Sequence, residues 1–296
     1  MNIYPWYIFI TVAEQKSFIK AAGELNISQS AVSHAIAKLE SECGYPLFIR
    51  NRNSIALTSS GQSLLPFVRQ FLNCDNALTQ EVAKLKNIQS GGVKVAAFHS
   101  ATLLWLPEII KDFQKEYPGV EIVVRQSGDK DINQMIQNGE IDLAIVSKEA
   151  IGSGTPFLPL HQTPVVGVTP KGYRPVNGTA LTPEDFRTND MVLPLEGYDT
   201  EMNQYLNASG LRDEAKYRIE DDDTIFAYVE QGFGLSIMPL MTAQCSKREF
   251  ETWPLTPQFM RIIGLVSVYS DYISPSAALF RQKFIYYMTR ENLINL

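Results

Sequence analysis

The sequence predicts two architectures in one chain: a small N-terminal all-α unit with a two-stranded wing and a long trailing helix, then a larger C-terminal α/β domain. Three observations predict it. Apolar residues recur at helical spacing as far as about residue 88. Ser90, Gly91 and Gly92 then interrupt the pattern, and short apolar strands alternate with helices beyond them. The charge balance changes at the same place: eight Lys/Arg stand against six Asp/Glu up to Gly92, leaving 18 against 26 in the rest of a 296-residue chain of net charge −6.

Ile8, Val12 and Ala13 mark a first short helix, Phe18, Ala21, Ala22 and Leu25 a second, and Val32, Ala35, Ile36 and Leu39 a third. Ser17 and Ser28 stand where N-caps belong, and Asn26 lies in the tight break between the second and third. Two helices joined by so short a turn cross steeply, which is the helix-turn-helix arrangement. On the third helix Gln29, Ser30, Ser33, His34 and Ala37 fan out opposite the apolar arc. Side chains this short allow close approach to base edges in a major groove, and Gln29 can contact adenine through two hydrogen bonds. They suit a solvated surface equally well.

After Gly44, Leu47 to Ile49 read as a strand, Arg50 to Asn53 as a basic turn and Ile55 to Leu57 as a return strand. Arg50 and Arg52 at the tip of such a wing suit phosphate or minor-groove contact. The run SFIKAAGELNISQSAVSHAIAKLE, with GYPLFIR and LTSSG after it, resembles the winged helix-turn-helix of the LysR-type transcriptional regulators. The resemblance implies base reading by Gln29, Ser30, Ser33 and His34, with Lys38 in the same DNA-binding set and Arg50 and Arg52 on backbone or minor groove. Members of that family often carry Arg where His34 stands, so a strong charged contact gives way to a weaker one.

From Ser59 to Ile88, Leu64, Val68, Phe71, Leu78, Val82 and Leu85 keep a spacing of three and four, with Asp75 interrupting the seam. Thr58 can cap this helix and Pro66 should bend it slightly. A helix this long calls for a partner, and the resemblance assigns it the family's role of linker through which subunits pair, giving a homodimer or homotetramer.

In the C-terminal part VKVAAF, EIVVRQ and IDLAIV read as strands, with helices LLWLPEIIKDFQKEY and DINQMIQN between them. PVVGVTP, MVLPLE, YRIE, GLSIMP and RIIGLVSVY are further strands. Helices follow at TPEDFR, Met202 to Ala208, Asp223 to Gln231 and SPSAALFRQKFIYYMTREN. VKVAAFHSATLLWLPEIIKDFQKEYPGVEIVVR and DDDTIFAYVEQGFGLSIMP resemble the LysR-type effector domain, which implies the periplasmic-binding-protein fold: two sub-domains joined by crossing strands, with a ligand in the cleft. The expected boundaries are 1–58 for the DNA-binding domain, 59–89 for the linker helix and 90–296 for the effector domain. Within the last, sub-domain I covers about 93–164 and 268–296 and sub-domain II about 165–267.

On that resemblance Ser100 and Thr102 are the first effector-binding candidates, although both residue types also serve as plain helix caps at such a turn. Gly128 and Ser147 follow strands, at the carboxyl ends where ligands bind in open α/β sheets. The expected ligand is a small polar or anionic metabolite, since helix N-termini bind anions. Asp221, Asp222 and Asp223 read as a helix N-terminus stabilised by its dipole; were they to border the cleft, they would favour an amino group. His99 and His161 have no second metal ligand at useful spacing and are expected to be structural or pocket-lining.

No cofactor or metal is expected. Cys43, Cys74 and Cys245 form neither a disulfide framework nor a zinc motif, and Cys245 has no resolving thiol in the effector half. No Ser-His-Asp, CxxC or dinucleotide loop appears, so an enzyme is not expected. In IYPWYIFITVA the first basic residue, Lys16, follows the apolar run, where a secretory signal needs it in front. No apolar run is long enough to span a bilayer, and a cytoplasmic home is expected. The sequence thus points to a DNA-binding transcriptional regulator controlled by a small-molecule effector, with double-stranded DNA, a second copy and RNA polymerase as partners. A periplasmic-type solute-binding protein without a regulatory role is the alternative.

Overall fold

The computed structural model describes residues 3–51, 54–85, 91–152, 154–195, 200–268 and 273–296. The chain divides into two compact units, one of residues 1–88 with 137–140 and one of the remainder.

The first unit packs α1 (Tyr4–Gln15), α2 (Phe18–Glu24) and α3 (Gln29–Cys43) around a shared core. Ser17 and Ser28 cap α2 and α3 by accepting from the N–H groups of Lys20 and Ala31. Asn26 takes φ 53° in the break between them, a left-handed conformation its short polar side chain tolerates. Val32, Ile36 and Leu39 are buried from α3 against Phe9, Phe18 and Phe48, each worth about 1.5–3 kcal/mol of transfer free energy. This apolar arc turns the opposite face of α3 outward.

Strands β1 (Phe48–Asn51) and β2 (Ser54–Leu57) form the antiparallel wing, with Arg50 paired to Ile55. Arg50 therefore belongs to a strand and not to the tip expected from the sequence; Arg52 and Asn53 lie outside the described residues. Helix α4 (Ser59–Leu85) follows, capped by Thr58, whose hydroxyl accepts from Gly61 N–H. Its near side buries Val68 and Leu72 in the unit's core, while Phe67, Phe71, Leu78 and Val82 stay exposed along another side. Asp75, which interrupts the apolar seam, accepts a hydrogen bond from Tyr7 of α1 at 3.0 Å.

In the second unit β3 (Gly91–Ala97), α5 (His99–Leu104), α6 (Leu106–Glu116), β4 (Val120–Gln126), α7 (Asp129–Gln137) and β5 (Leu143–Ser147) build parallel pairs β3·β4 and β3·β5. The single helix expected around LLWLP is two. Pro107 has no N–H and its ring would meet the carbonyl a turn earlier, so the helix breaks at Trp105 and restarts.

The chain then runs through β6 (Phe157–Pro170), α8 (Pro183–Arg187), β7 (Met191–Pro194), α9 (Thr200–Ser209), β8 (Ala215–Ile219), α10 (Asp222–Glu230), β9 (Ser236–Pro239), α11 (Leu240–Ala243) and β10 (Phe250–Pro254). It closes with β11 (Met260–Ser267) and α12 (Pro275–Arg290). The main sheet has the order β10-β6-β11-β5-β3-β4 with β9 also on β6, while β7 and β8 pair separately. Strand β6 is twice the length read from PVVGVTP; its first half, 157–163, contains Pro159, which argues against a central strand. Pro159 falls beside the register shift against β11, opposite Gly264. From Val165 onward β6 leaves β11 and pairs with β9 and β10 instead. The sheet thus spans two core regions, one around Trp105, Phe113 and Phe280 and the other around Phe186, Tyr205 and Ile237.

Candidate functional site

Two separate surfaces carry the expected chemistry. On α3, Gln29, Ser30, His34 and Lys38 are exposed and Ser33 is half-buried, and their three-and-four spacing places them along one face. Ser30 Oγ lies 2.9 Å from the capping hydroxyl of Ser28, so it is oriented by the cap. Lys38 lies 4.0 Å from Glu42 one turn on, both well exposed, an ion pair that bulk water leaves nearly neutral in energy.

Arg50 is not on this face. Its guanidinium pairs with Glu40 at 2.9 Å and stands 5.0 Å over the Phe18 ring. Glu40, absent from the sequence-based set, does more than neutralise it: its other oxygen accepts from the N–H groups of Leu47 and Phe48 at 2.8 and 3.1 Å. One carboxylate at the end of α3 thereby fixes the first wing strand to the helix. The available signal was an acidic residue in a last turn, where the macrodipole disfavours it unless it has donors elsewhere.

In the second unit a cleft of about 560 Å³ opens at strand ends and loops. Phe98, His99 and Ser100 follow β3; Gln126 ends β4 and Ser127 to Asp131 follow it; Glu220 and Asp221 lead into α10, which Asp222 and Asp223 begin; Thr242 and Arg261 complete the wall. At its base Arg261, 3% exposed, donates to Asp129 Oδ2 at 2.7 Å and lies 4.4 Å over the Phe98 ring. Its Nε is 4.0 Å from Glu201, a second buried carboxylate. Ser147 donates to Asp129 at 2.7 Å, closing a buried charged network.

The effector candidates separate here. Ser100 and Gly128 line the cleft. Thr102 does not: its hydroxyl donates to Phe98 O at 3.1 Å, the back-bond to the preceding turn that Thr commonly makes in a helix. Ser147 is fully buried behind the wall and holds Asp129 in place of a ligand. Ser100 is 1% exposed and its Oγ has no hydrogen-bond partner among the described residues. Asp221 caps α10 by accepting from Thr224, which with nearby His99 holds its carboxyl below the usual range. His99 lines the cleft, whereas His161 stacks edge-on to Trp105 and bonds Leu293 O. Asp129 and Arg261 were missed in the sequence, although a charge at the head of the apolar RIIGLVSVY is an oddity a buried pair explains.

A tri-helical unit with a wing, joined to a two-core α/β unit with a cleft at its strand ends, defines a one-component regulator. Residues 6–62 match the family described as "Bacterial regulatory helix-turn-helix protein, lysR family", and residues 86–286 match "LysR substrate binding domain". The chain belongs to the LysR family of bacterial transcriptional regulators. That membership removes the alternative of a solute-binding protein. It is 28% identical over 281 residues to a probable HTH-type transcriptional regulator, LrrA, of Synechococcus elongatus, covering 95% of each chain. Full-length OxyR C199D from Pseudomonas aeruginosa has the same fold, with TM-score 0.77, 20% identity and coverage of 96% and 94%. CbnR solved in complex with its target DNA is similar at TM-score 0.63 and 18% identity, covering 97% of this chain and all of that one.

Proposed function

We propose that the protein reads its operator with Gln29, Ser30, Ser33 and His34 of α3, meets phosphate with Lys38 and Arg52, and responds to a small molecule held in the cleft against Ser100 and Gly128. Arg50 braces the wing in this reading. The observation that carries it is the outward, three-and-four-spaced polar face of α3, held there by the burial of Val32, Ile36 and Leu39. The domain boundaries follow the sequence reading: 1–58, 59–89 and 90–296, with the last divided near 165 and 268.

The exposed row Phe67, Phe71, Leu78 and Val82 on α4 supports subunit pairing, since its four-seven-four spacing is that of one side of a coiled coil. Two copies then present two α3 helices to a two-fold operator, and RNA polymerase is the machinery whose access or recruitment they alter. The protein acts in the cytoplasm without catalysis; among the described residues no helix is long and apolar enough to cross a membrane.

The likeness to OxyR concerns the fold alone. Burial pushes the Cys245 thiol up to about 11, so at neutral pH it holds its proton, which opposes thiolate-based redox sensing. A gel-shift titration at about 0.15 M salt tests the regulatory reading, because non-specific binding is weakened there. The proposal expects preference for the DNA upstream of the protein's own gene over random duplex; equal binding to both contradicts it.

A further inference from the structure

We infer that Arg261 tethers the two core regions of the second unit to each other, and that the division of its guanidinium between a buried carboxylate on either side sets how far the cleft stands open. Such a tether acts on the cleft walls whatever the cleft binds, and so goes beyond the effector reading.

Strands β6 and β11 run between the two core regions and separate beside Arg261. Their pairing ends with Met260 opposite Pro164, next to Arg261 opposite Thr163. Val165 N–H still reaches Phe259 O at 2.9 Å, and from there β6 pairs with β9 and β10. Strands laddered in this way move as bodies, so rotation between the two cores falls on the few residues where the ladders change partners.

The Arg261 side chain reaches to both sides of that point. Toward the first core it donates to Asp129 Oδ2 at 2.7 Å and covers the Phe98 ring; Asp129 begins α7, which packs Ile132 and Ile136 with Ala96 and Ala144 of the sheet. Toward the second core its Nε is 4.0 Å from Glu201 of α9, a helix that buries Met202, Tyr205 and Leu206 with Ile237. All three charged groups are buried, where water does not replace a partner that moves away. Withdrawing one carboxylate from the guanidinium therefore costs least when the other takes up the contact. Arginine suits this place because its planar fork presents donors to two sides, which an ammonium does not. The Ser147 hydroxyl weighs on the balance, since it donates to the same Asp129 Oδ2 at 2.7 Å. Arg261 also lines the cleft, so an occupant of the cleft meets the tether directly.

Pulsed electron spin resonance between nitroxides at Lys171→Cys, beyond the end of β6, and Arg281→Cys, on α12 beside the first core, reads the separation directly from two exposed positions. The full chain carries Ser in place of Cys43, Cys74 and Cys245, and dilution with unlabelled chain confines the signal to distances within one molecule. Glu201→Gln should lengthen the mean distance, because the guanidinium then stays with Asp129 and the second core is released. Asp129→Asn should shorten it, because the guanidinium then follows Glu201. Ser147→Ala should lengthen it in smaller measure, because one competing donor leaves Asp129 Oδ2 to Arg261. Urea melts establish that each variant is folded, and Ser147→Ala, which removes no charge, decides the matter if a carboxylate variant does not fold. Opposite shifts from the two carboxylate variants are the signature, since a network that only supports the fold would broaden both distributions alike. Any other pattern from that pair, or a Ser147→Ala distance that is unchanged or shorter, would overturn the inference.

Discussion

The outer face of α3 and the wall of the cleft solve opposite problems. The α3 face is built from consecutive turns of one helix, carries short hydroxyl side chains beside Gln29, His34 and Lys38, and has its nearby charges paired: Lys38 with Glu42, Arg50 with Glu40. The cleft is assembled from residues as distant as Phe98 and Arg261, is rich in carboxylates, and keeps one buried hydroxyl, that of Ser100, without a partner among the described residues. On the proposed function, a face that must come close to many DNA sequences is kept blunt, so that few polar contacts decide the choice. The cleft, proposed to recognise one small molecule, keeps groups in reserve for it.

The largest test of this contrast is Arg261→Met. It removes the guanidinium that pairs with the buried Asp129 and neighbours the buried Glu201, and a urea melt should show a loss of about 3–5 kcal/mol confined to the second unit's transition. An unchanged melt would mean that the network is solvated and not structural. Ile36→Ala should cost the first unit about 3 kcal/mol through the cavity it leaves, abolishing DNA binding while the second unit's urea transition is unaffected. A shift of that transition as well would contradict the independence of the two surfaces.

Glu40→Ala strands two backbone N–H groups and frees Arg50, and should destabilise the first unit by about 1–3 kcal/mol. A freed Arg50 could also contact phosphate, so the salt dependence of DNA binding should steepen by about one unit. Were affinity to fall in proportion to stability with the same salt slope, Arg50 would have been a DNA contact from the start. The smallest effect belongs to Lys38→Ala. Its exposed pair with Glu42 carries little stability, within about 0.5 kcal/mol, yet a phosphate contact predicts a salt slope reduced by about one.

The same contrast explains how much could be read from the amino acids. The helices of the first unit were legible because caps, breaks and apolar arcs lie within a turn or two of one another: Ser17, Ser28, Asn26 and the Val32, Ile36, Leu39 stripe all hold the places their spacing implies. Arg50 was misplaced because its partner Glu40 sits ten residues back, beyond any local period. In the second unit the order of strands and helices was legible, but β10 was not read and β6 was read at half its length. Pro159 in the missed half lies beside a register shift against β11 that no single-strand pattern encodes. Among the effector candidates Ser100 and Gly128 reach the cleft because it lies at strand ends, as topology requires. Thr102 and Ser147 do not, because which side of a turn a hydroxyl faces is decided by partners such as Phe98 O and Asp129.

The central claim is that α3 chooses the DNA sequence through its short polar face, with His34 in place of the fixed charge common at that position in the family. Selection of binding sites from a randomised duplex pool, for the unsubstituted protein and for His34→Arg, addresses it directly. The account predicts tighter binding by the variant and a changed base preference at one position of each half-site, with the remaining positions unaltered. Identical affinity and identical selected sites would contradict it, because His34 would then face away from the groove.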